Sequence, residues 1–404
     1  MFKLAWRNLW RNKRRTIITA ASVFFAVFFA ILMRGFKHGV MVHLVDSVLH
    51  SYTGYVQIHK KGYWDNKTFE YSMTANDSVF TKIKEIKQVK GIIPRLESFS
   101  LASSGNKTKG VITVGIDPDL ENEFTELHKK IVSGKYFTNK DTGVILSERL
   151  SKYLDLKVND SIVLLSQGYH DMGANGIYKI LGIVKLPASE FDNQMVYLPL
   201  PLAQDYYSAQ GRITSIVVDL KNPQDMDKAI RKINKVINSD AYEMMSWKEM
   251  LIELYQQYLG NEGSGIIIMS LLYLIVGFGV FGTVLMLIAE RRHEFGIMII
   301  LGMQRRRLIR LVGTELTFIC MIGLLFGFLG SVPIVAYFHF YPIHMSAAMA
   351  KSYAAFGMEP ILPTAWQLDY MLQQVYIVFG IVLVVLIYPL YSVYKLDLTK
   401  VMRR

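Results

Sequence analysis

Apolar residues gather in four runs along this chain, at residues 17–33, 266–289, 311–338 and 375–394, and charges are scarce inside each. A helix that crosses a bilayer needs ~20 mostly apolar residues, so each run predicts a transmembrane helix. The first is the shortest and is expected to continue past Met33 before leaving lipid. Between the first and second runs the pattern changes. Tyr55-Val56-Gln57-Ile58-His59 alternates as a half-buried strand does, as do Val111-Ile112-Thr113-Val114 and the stretches 161–165, 178–184 and 215–220. Residues 77–89 and 223–237 have helical spacing, the second with Asn222 as a cap before Pro223. The fold class expected is an α-helical membrane protein with four transmembrane helices plus a large α+β extracytoplasmic domain, the latter in two subdomains.

Composition agrees: 51% of residues are hydrophobic and 19% charged, where about 25% charged is usual for soluble domains. Arg11, Lys13, Arg14 and Arg15 before the first run resemble the start of a signal peptide. The run is longer than a signal core, however, and Met33-Arg34-Gly35 is a poor cleavage site, so a retained span is expected. Lys and Arg concentrate before the first run, between the second and third, and after the fourth. By the positive-inside rule these blocks and both termini are cytoplasmic; Arg34 and Lys37 run against the trend. The partition expected is an interfacial elbow helix at 1–16, spans at 17–33, 266–289, 311–338 and 375–394, and an extracytoplasmic domain at 34–265. A cytoplasmic loop at 290–310, an outer loop at 339–374 and a cytoplasmic tail at 395–404 complete it. The net charge of +12 then reflects anionic membrane lipid and a Lys-rich outer domain, with no nucleic-acid partner. The single cysteine, Cys320, lies in the third run, so the outer domain has no disulfide. Asn-x-Ser/Thr triplets at Asn66, Asn76, Asn106 and Asn159 are of a kind that chance supplies, and a bacterial envelope is favoured.

Two amphipathic helices flank the outer domain. Leu44 and Val48 belong to the first, and Leu251, Leu254 and Tyr258 to the second; each is expected to prolong its span as a stalk. Gly260, Gly263 and Gly265 at the second junction are hinge candidates, since glycine lacks the Cβ that restricts the backbone. In the opening segment, Phe2, Trp6, Leu9 and Trp10 share one helical face and Lys3, Arg7 and Arg11 another, the pattern of a helix in the headgroup layer. No catalytic, cofactor-binding or metal-binding residue emerges. His293-Glu294 has Ile297 where a zinc protease needs its second His, and Gly105 and Gly110 are followed by Val111-Ile112 where a phosphate loop needs Lys-Ser/Thr. His170-Asp171 reads as a solvated turn. Glu315, a short way into the third run, is expected to pair locally near Arg310 or to snorkel.

The most informative stretch is 290–307. A short apolar helix with a charged entry and a triple-arginine exit, between two spans, must sit on one membrane face, where it offers a lever to a soluble partner. Its core, Arg291, Arg292, Glu294 and Gly296, then Leu301-Gly302, resembles the coupling loop of permease subunits in the macrolide-exporter/lipoprotein-releasing, FtsX-like class of ABC transporters. Ala5-Trp6-Arg7-Asn8-Leu9-Trp10-Arg11 is similar to that family's elbow. Tyr388-Pro389 with Lys395-Leu396-Asp397-Leu398 is similar to its C-terminal segment, Leu398 standing where the family usually has Pro. The resemblance implies ATP and Mg²⁺ bound by a separate ABC ATPase dimer that grips Arg291, Arg292, Glu294, Gly296 and Gly302. It also implies a second permease copy or paralogue, and a substrate handled on the outer side. Gly115-Ile116-Asp117-Pro118 and Glu190-Phe191-Asp192-Asn193 resemble lipoprotein-releasing members, which implies a lipoprotein substrate and a periplasmic carrier or adaptor. The alternatives are a permease of a tripartite pump for peptides, drugs or other amphiphiles, and a membrane regulator of a periplasmic hydrolase.

Overall fold

The computed structural model describes residues 13–75, 78–346, 348–350, 353 and 360–395. The elbow pattern at Phe2–Arg11 and the segment from Leu396 onward lie outside them. The chain divides into two compact units, Met1–His43 with Gln257–Met345 and Ile361–Arg404, and Leu44–Gln256 with Ser346–Pro360.

Helix α1 (Lys13–Val48) is continuous from the first apolar run to the stalk positions Leu44 and Val48, and Leu49–Thr53 adds one wider turn. The second unit then opens with β1 (Val56–Lys60), α2 (Ser78–Lys84), β2 (Val89–Ser104) and β3 (Lys107–Ile116), followed by α3 (Pro118–Thr125), β4 (Val144–Ser147) and β5 (Ser161–Gln167). It is completed by β6 (Gly173–Val184), β7 (Met195–Pro199), β8 (Ser215–Leu220), α4 (Met226–Ile233) and β9 (Tyr242–Ser246). The five strand stretches expected from alternation lie in strands, apart from Tyr55, which precedes β1. Of the expected helices, 77–89 shortens to α2, because Val89 already enters β2. Residues 223–237 give a 3₁₀ turn and then α4, with Asn222 Oδ1 accepting the Gln224 N–H at 3.0 Å.

Two subdomains share β2. Its first half pairs with β8, in an antiparallel sheet ordered β9-β1-β8-β2. With α2 between β1 and β2, and α4 between β8 and β9, this is a ferredoxin-like split βαβ arrangement. The second half of β2 belongs to a closed ring in which β2, β3, β7, β4, β6 and β5 pair in turn and β5 returns to β2. Closure removes sheet edges, and Leu96, Val111, Leu146, Ile162, Leu164, Ile180 and Val196 belong to one buried cluster there. Arg95, at the middle of β2, is fully buried. Its Nε and Nη2 donate to the two oxygens of Glu121 on α3 at 2.8 and 2.7 Å, and Nη1 donates to the Tyr52 carbonyl. Burial alone would weaken its hold on its proton, but Glu121 beside it outweighs that and raises the guanidinium pKa.

The stalk reading needs one correction. Met250 and Leu251 do not begin a helix that runs into the second span. Ser246 and Glu249 form a capping box that starts a separate turn at Trp247–Met250, and Leu251 (φ −116°, ψ 62°) breaks it before α5 (Ile252–Glu290) starts. Gly260, Gly263 and Gly265 lie inside α5, which is helical throughout. A Cβ on Gly265 would collide with Lys37 Nζ, which donates to the Asn261 carbonyl, so this glycine admits a side chain from α1.

The first unit is completed by α6 (Arg292–Ile300), α7 (Arg305–Phe340) and α8 (Leu368–Tyr394). Four helices, Thr16–Thr53, Ile252–Glu290, Arg305–Phe340 and Leu368–Tyr394, are long and apolar enough to cross a membrane. Small residues set their closest approach, as is common where lipid supplies no hydrophobic drive: Cβ atoms on Gly323 and Gly327 of α7 would strike the Ala20 and Phe24 carbonyls of α1. Arg34, on the side the charge trend disfavours, pairs with Glu262 of α5 at 3.0 Å.

Candidate functional site

The link between α5 and α7 is a built element. Glu290 ends α5 and Arg291 (φ −93°, ψ 3°) turns the chain, its carbonyl accepting the Phe295 N–H at 3.0 Å as α6 begins. The far end closes with paired hydrogen bonds, Met303 N–H to the Met298 carbonyl and Gly302 N–H to the Ile299 carbonyl, both 3.0 Å, with Gly302 at φ +94°. This is the Schellman termination, in which the left-handed position favours glycine, and Met298 and Met303 at its two ends both pack against the same apolar core. Gln304 is extended, and α7 begins at Arg305, whose Nη1 donates to the Tyr394 carbonyl of α8 at 2.9 Å.

One buried guanidinium anchors this element. Arg291 is 4% exposed. Its Nη1 donates to Glu315 Oε1 of α7 at 2.6 Å, its Nε to Glu294 Oε2 of α6 at 3.1 Å, and its cation lies 5.2 Å from the centre of the Phe295 ring. Burial works against the charge, and the bonds to Glu315 and Glu294 outweigh it, so the Arg291 pKa is raised. Two carboxylates share one cation, and among the described residues nothing donates to Glu315 Oε2. The opposite face is open and apolar at its tip: Leu301 is 81% exposed and Ile297 and Ile300 about half, flanked by exposed Arg292, His293, Arg305, Arg306 and Arg307.

Arg291 and Gly296, named from the sequence among the ATPase-coupling residues, are buried in this chain: Arg291 is the counterion of Glu315, and Gly296 adjoins the fully buried Phe295. The partner of Glu315 is Arg291, while Arg310 is exposed. Arg292, Glu294 and Gly302 remain on accessible parts of the connector. Sequence reasoning missed the apolar tip residues Ile297, Ile300 and Leu301; three large apolar residues in a loop bounded by arginines were the available signal. Among the described residues no group of His, Cys, Asp or Glu could hold a metal ion.

A family model for the MacB-like periplasmic core domain matches residues 16–236, and one for the FtsX-like permease C-terminal region matches 266–398. The chain belongs to the MacB/Lol, FtsX-like permease superfamily. It is a membrane protein, and its second matched region is an FtsX-like permease region. Similar proteins include the lipoprotein-releasing system transmembrane protein LolE of Haemophilus influenzae, 23% identical over 55% of this chain and 54% of that one. Another is the macrolide export ATP-binding/permease protein MacB of Neisseria gonorrhoeae, 20% identical over 86% of this chain and 55% of that one. An uncharacterised ABC transporter permease of Bacillus subtilis, YclI, is 27% identical over 54% of this chain and 46% of that one. The chain thus spans about half the length of these relatives. The crystal structure of the periplasmic region of MacB from Actinobacillus actinomycetemcomitans aligns at TM-score 0.38 and 14% identity, over 53% of this chain and 97% of that one.

Proposed function

We propose that this chain is the permease subunit of an ABC transporter that couples ATP hydrolysis on a separate ATPase dimer to extraction of lipoproteins from the outer leaflet of a bacterial inner membrane. The observation that carries this is the connector. A nine-residue helix is far too short to cross ~30 Å of hydrocarbon. It is fixed to α7 by a buried ion pair and presents an apolar tip ringed by arginines, the form of a stiff lever seated in a partner's pocket. On this reading the connector and both termini are cytoplasmic, ATP and Mg²⁺ are held by the ATPase, and the permease works as a pair with a second copy or a paralogue. Closure of the ATPase pushes α6, and α1 and α5, which reach the stalk positions Val48 and Leu254, relay the motion to the outer domain. Lipoproteins are favoured as substrate by LolE among the relatives and by the motifs at Gly115–Pro118 and Glu190–Asn193.

Reconstitution with the ATPase tests the reading. Wild type should release a lipoprotein from proteoliposomes in an ATP-dependent manner, to a periplasmic carrier where one is supplied. Tyr258→Pro, in the second turn of α5 where a proline costs ~3 kcal/mol, should leave an inserted chain that binds the ATPase and hydrolyses ATP without release. ATP-dependent movement of a macrolide or a peptide, with lipoproteins left in place, would favour the tripartite-pump reading, which the long alignment with MacB supports.

A further inference from the structure

The two subdomains of the outer unit leave β2 half-paired where they meet. The ladder to β8 ends at Arg95 and the ladder to β5 starts at Leu101, so residues 96–100 pair with β3 on one edge only. Side chains stand in for the missing strand: Thr214 Oγ1 accepts the Glu97 N–H at 2.7 Å, and Tyr63 and Ser166 hydroxyls donate to the Glu97 and Phe99 carbonyls. On that edge the Phe99 N–H has no strand partner. The Phe99 ring is 63% exposed and covers Gly110, whose Cβ, if present, would lie 2.5 Å from it.

Two cavities adjoin along this stretch and share Lys67, Ser98 and Phe99. One, of about 540 Å³, runs toward Gln167 and Asp171. The other, of about 440 Å³, runs toward Glu190 and Leu251 between Tyr52, Tyr63, Trp64 and Phe191. Together they form a groove with an open main-chain donor and aromatic walls. Its charged lining is Glu70, Glu97, Asp171 and Glu190 against Lys67, with Arg95 behind Glu97 at 4.0 Å and His170 beside Glu70 at 3.3 Å, so that Asp171 and Glu190 are the acidic groups left to a ligand. Its second cavity is lined by Tyr52 and Thr53, which follow α1 in the chain, and by Met250 and Leu251, which precede α5.

We propose that this groove binds an extended, basic segment of the transported polypeptide, laid along residues 96–100 of β2; that occupant rests on the lipoprotein reading above. The segment gives a carbonyl to the Phe99 N–H, as in strand addition, sets an apolar side chain against Phe99 and Trp64, and brings Lys or Arg to Glu190 and Asp171. Clefts lined by one sign of charge concentrate ligands of the other. The affinity should therefore fall with salt.

The test uses the full chain in nanodiscs and a fluorescent peptide of alternating lysine and leucine, read by anisotropy without the ATPase. The basic peptide should bind saturably, and its glutamate counterpart should not. Glu190→Lys, Asp171→Lys and Phe99→Ala should each weaken binding by about tenfold, while Phe99→Tyr should retain it. Equal binding of the acidic peptide, or full affinity in all three weakened variants at unchanged melting temperature, would overturn the groove. A photo-cross-linking residue at position 99 then tests the occupant: it should label the polypeptide next to the lipid anchor of a reconstituted lipoprotein. ATP-driven release without that adduct would overturn the proposal and leave the transport reading intact. Peptide binding by a chain that neither releases nor cross-links lipoprotein would overturn the occupant together with the transport reading.

Discussion

Arg95 and Arg291 are both buried arginines paired with buried carboxylates, and they solve that problem in opposite ways. Arg95 gives its hydrogen bonds to both oxygens of Glu121, as deeply buried as the arginine, and to a carbonyl, while Glu97 stands farther off at 4.0 Å. Arg291 is divided between two carboxylates on different helices, of which Glu294 is partly exposed and Glu315 keeps an oxygen without a partner among the described residues. A bidentate buried pair has one arrangement and holds α3 to β2. A cation shared by two carboxylates can lean to either, and leaning toward Glu294 loosens α6 from α7. The first site serves as a fixed joint of the outer domain; the second suits an element that must transmit a push.

The largest expected effect is at the fixed joint. Arg95→Met leaves Glu121 buried without its partner and should destabilise the outer domain by about 3–5 kcal/mol, read as loss of its cooperative melting transition. Replacing Glu121 as well, with Leu, should recover most of that loss, because paired apolar side chains of similar volume leave no orphaned charge. If the single variant melts as wild type does, the comparison fails at its firmer end. Arg291→Met should be milder, since Glu294 can turn to water; it should insert and bind the ATPase, yet lose most coupling of hydrolysis to release. Glu315→Gln keeps an acceptor for Arg291 and removes one of two competing charges. It should change stability by about 1 kcal/mol or less and coupling less than Arg291→Met does. A larger defect in Glu315→Gln than in Arg291→Met would show that the shared cation is not the working part.

The smallest effect expected concerns pH. His59 is buried against Tyr63 and Trp64, and burial, helped by Lys67, lowers its pKa from 6.5 to about 4. The folded state therefore prefers the neutral ring. Its contribution is complete above about pH 6.5 and is lost as pH falls from there toward 4. Melting of wild type should decline over that window more than melting of His59→Gln. Equal declines would place the acid sensitivity elsewhere.

The spans were legible because a water-soluble core seldom calls for an unbroken apolar run of bilayer length, and the strands because alternation survives in Val111–Val114 and its like. Asn222 was legible as a cap because its side chain acts within two residues. Pairings that join distant positions were not. Arg291 and Glu315 are 24 residues apart across a connector, and nothing periodic links them, so the arginine was read only as one of the residues an ATPase grips and the carboxylate was placed near Arg310. The break at Leu251 was hidden because the capping box before it starts a turn in phase with the stalk pattern. Ring closure through β5, and with it the half-paired stretch of β2, depends on register between strands some sixty residues apart and leaves no local trace.

A topology check sharpens the same contrast. If the connector is cytoplasmic and the outer domain outside, as proposed, a cysteine at Asn106 should react with a membrane-impermeant thiol reagent in spheroplasts, and one at Gln304 should not. The central claim, that the connector couples this permease to an ATPase through its apolar tip, is tested most directly by Leu301→Glu. The side chain is 81% exposed, so the substitution leaves the fold intact while placing a charge where an apolar pocket should close. The measurement is lipoprotein released per ATP hydrolysed in proteoliposomes. The account predicts a fall of about tenfold or more, the scale of a 1.4 kcal/mol loss, with normal insertion. An unchanged ratio, with the ATPase bound as in wild type, would contradict it.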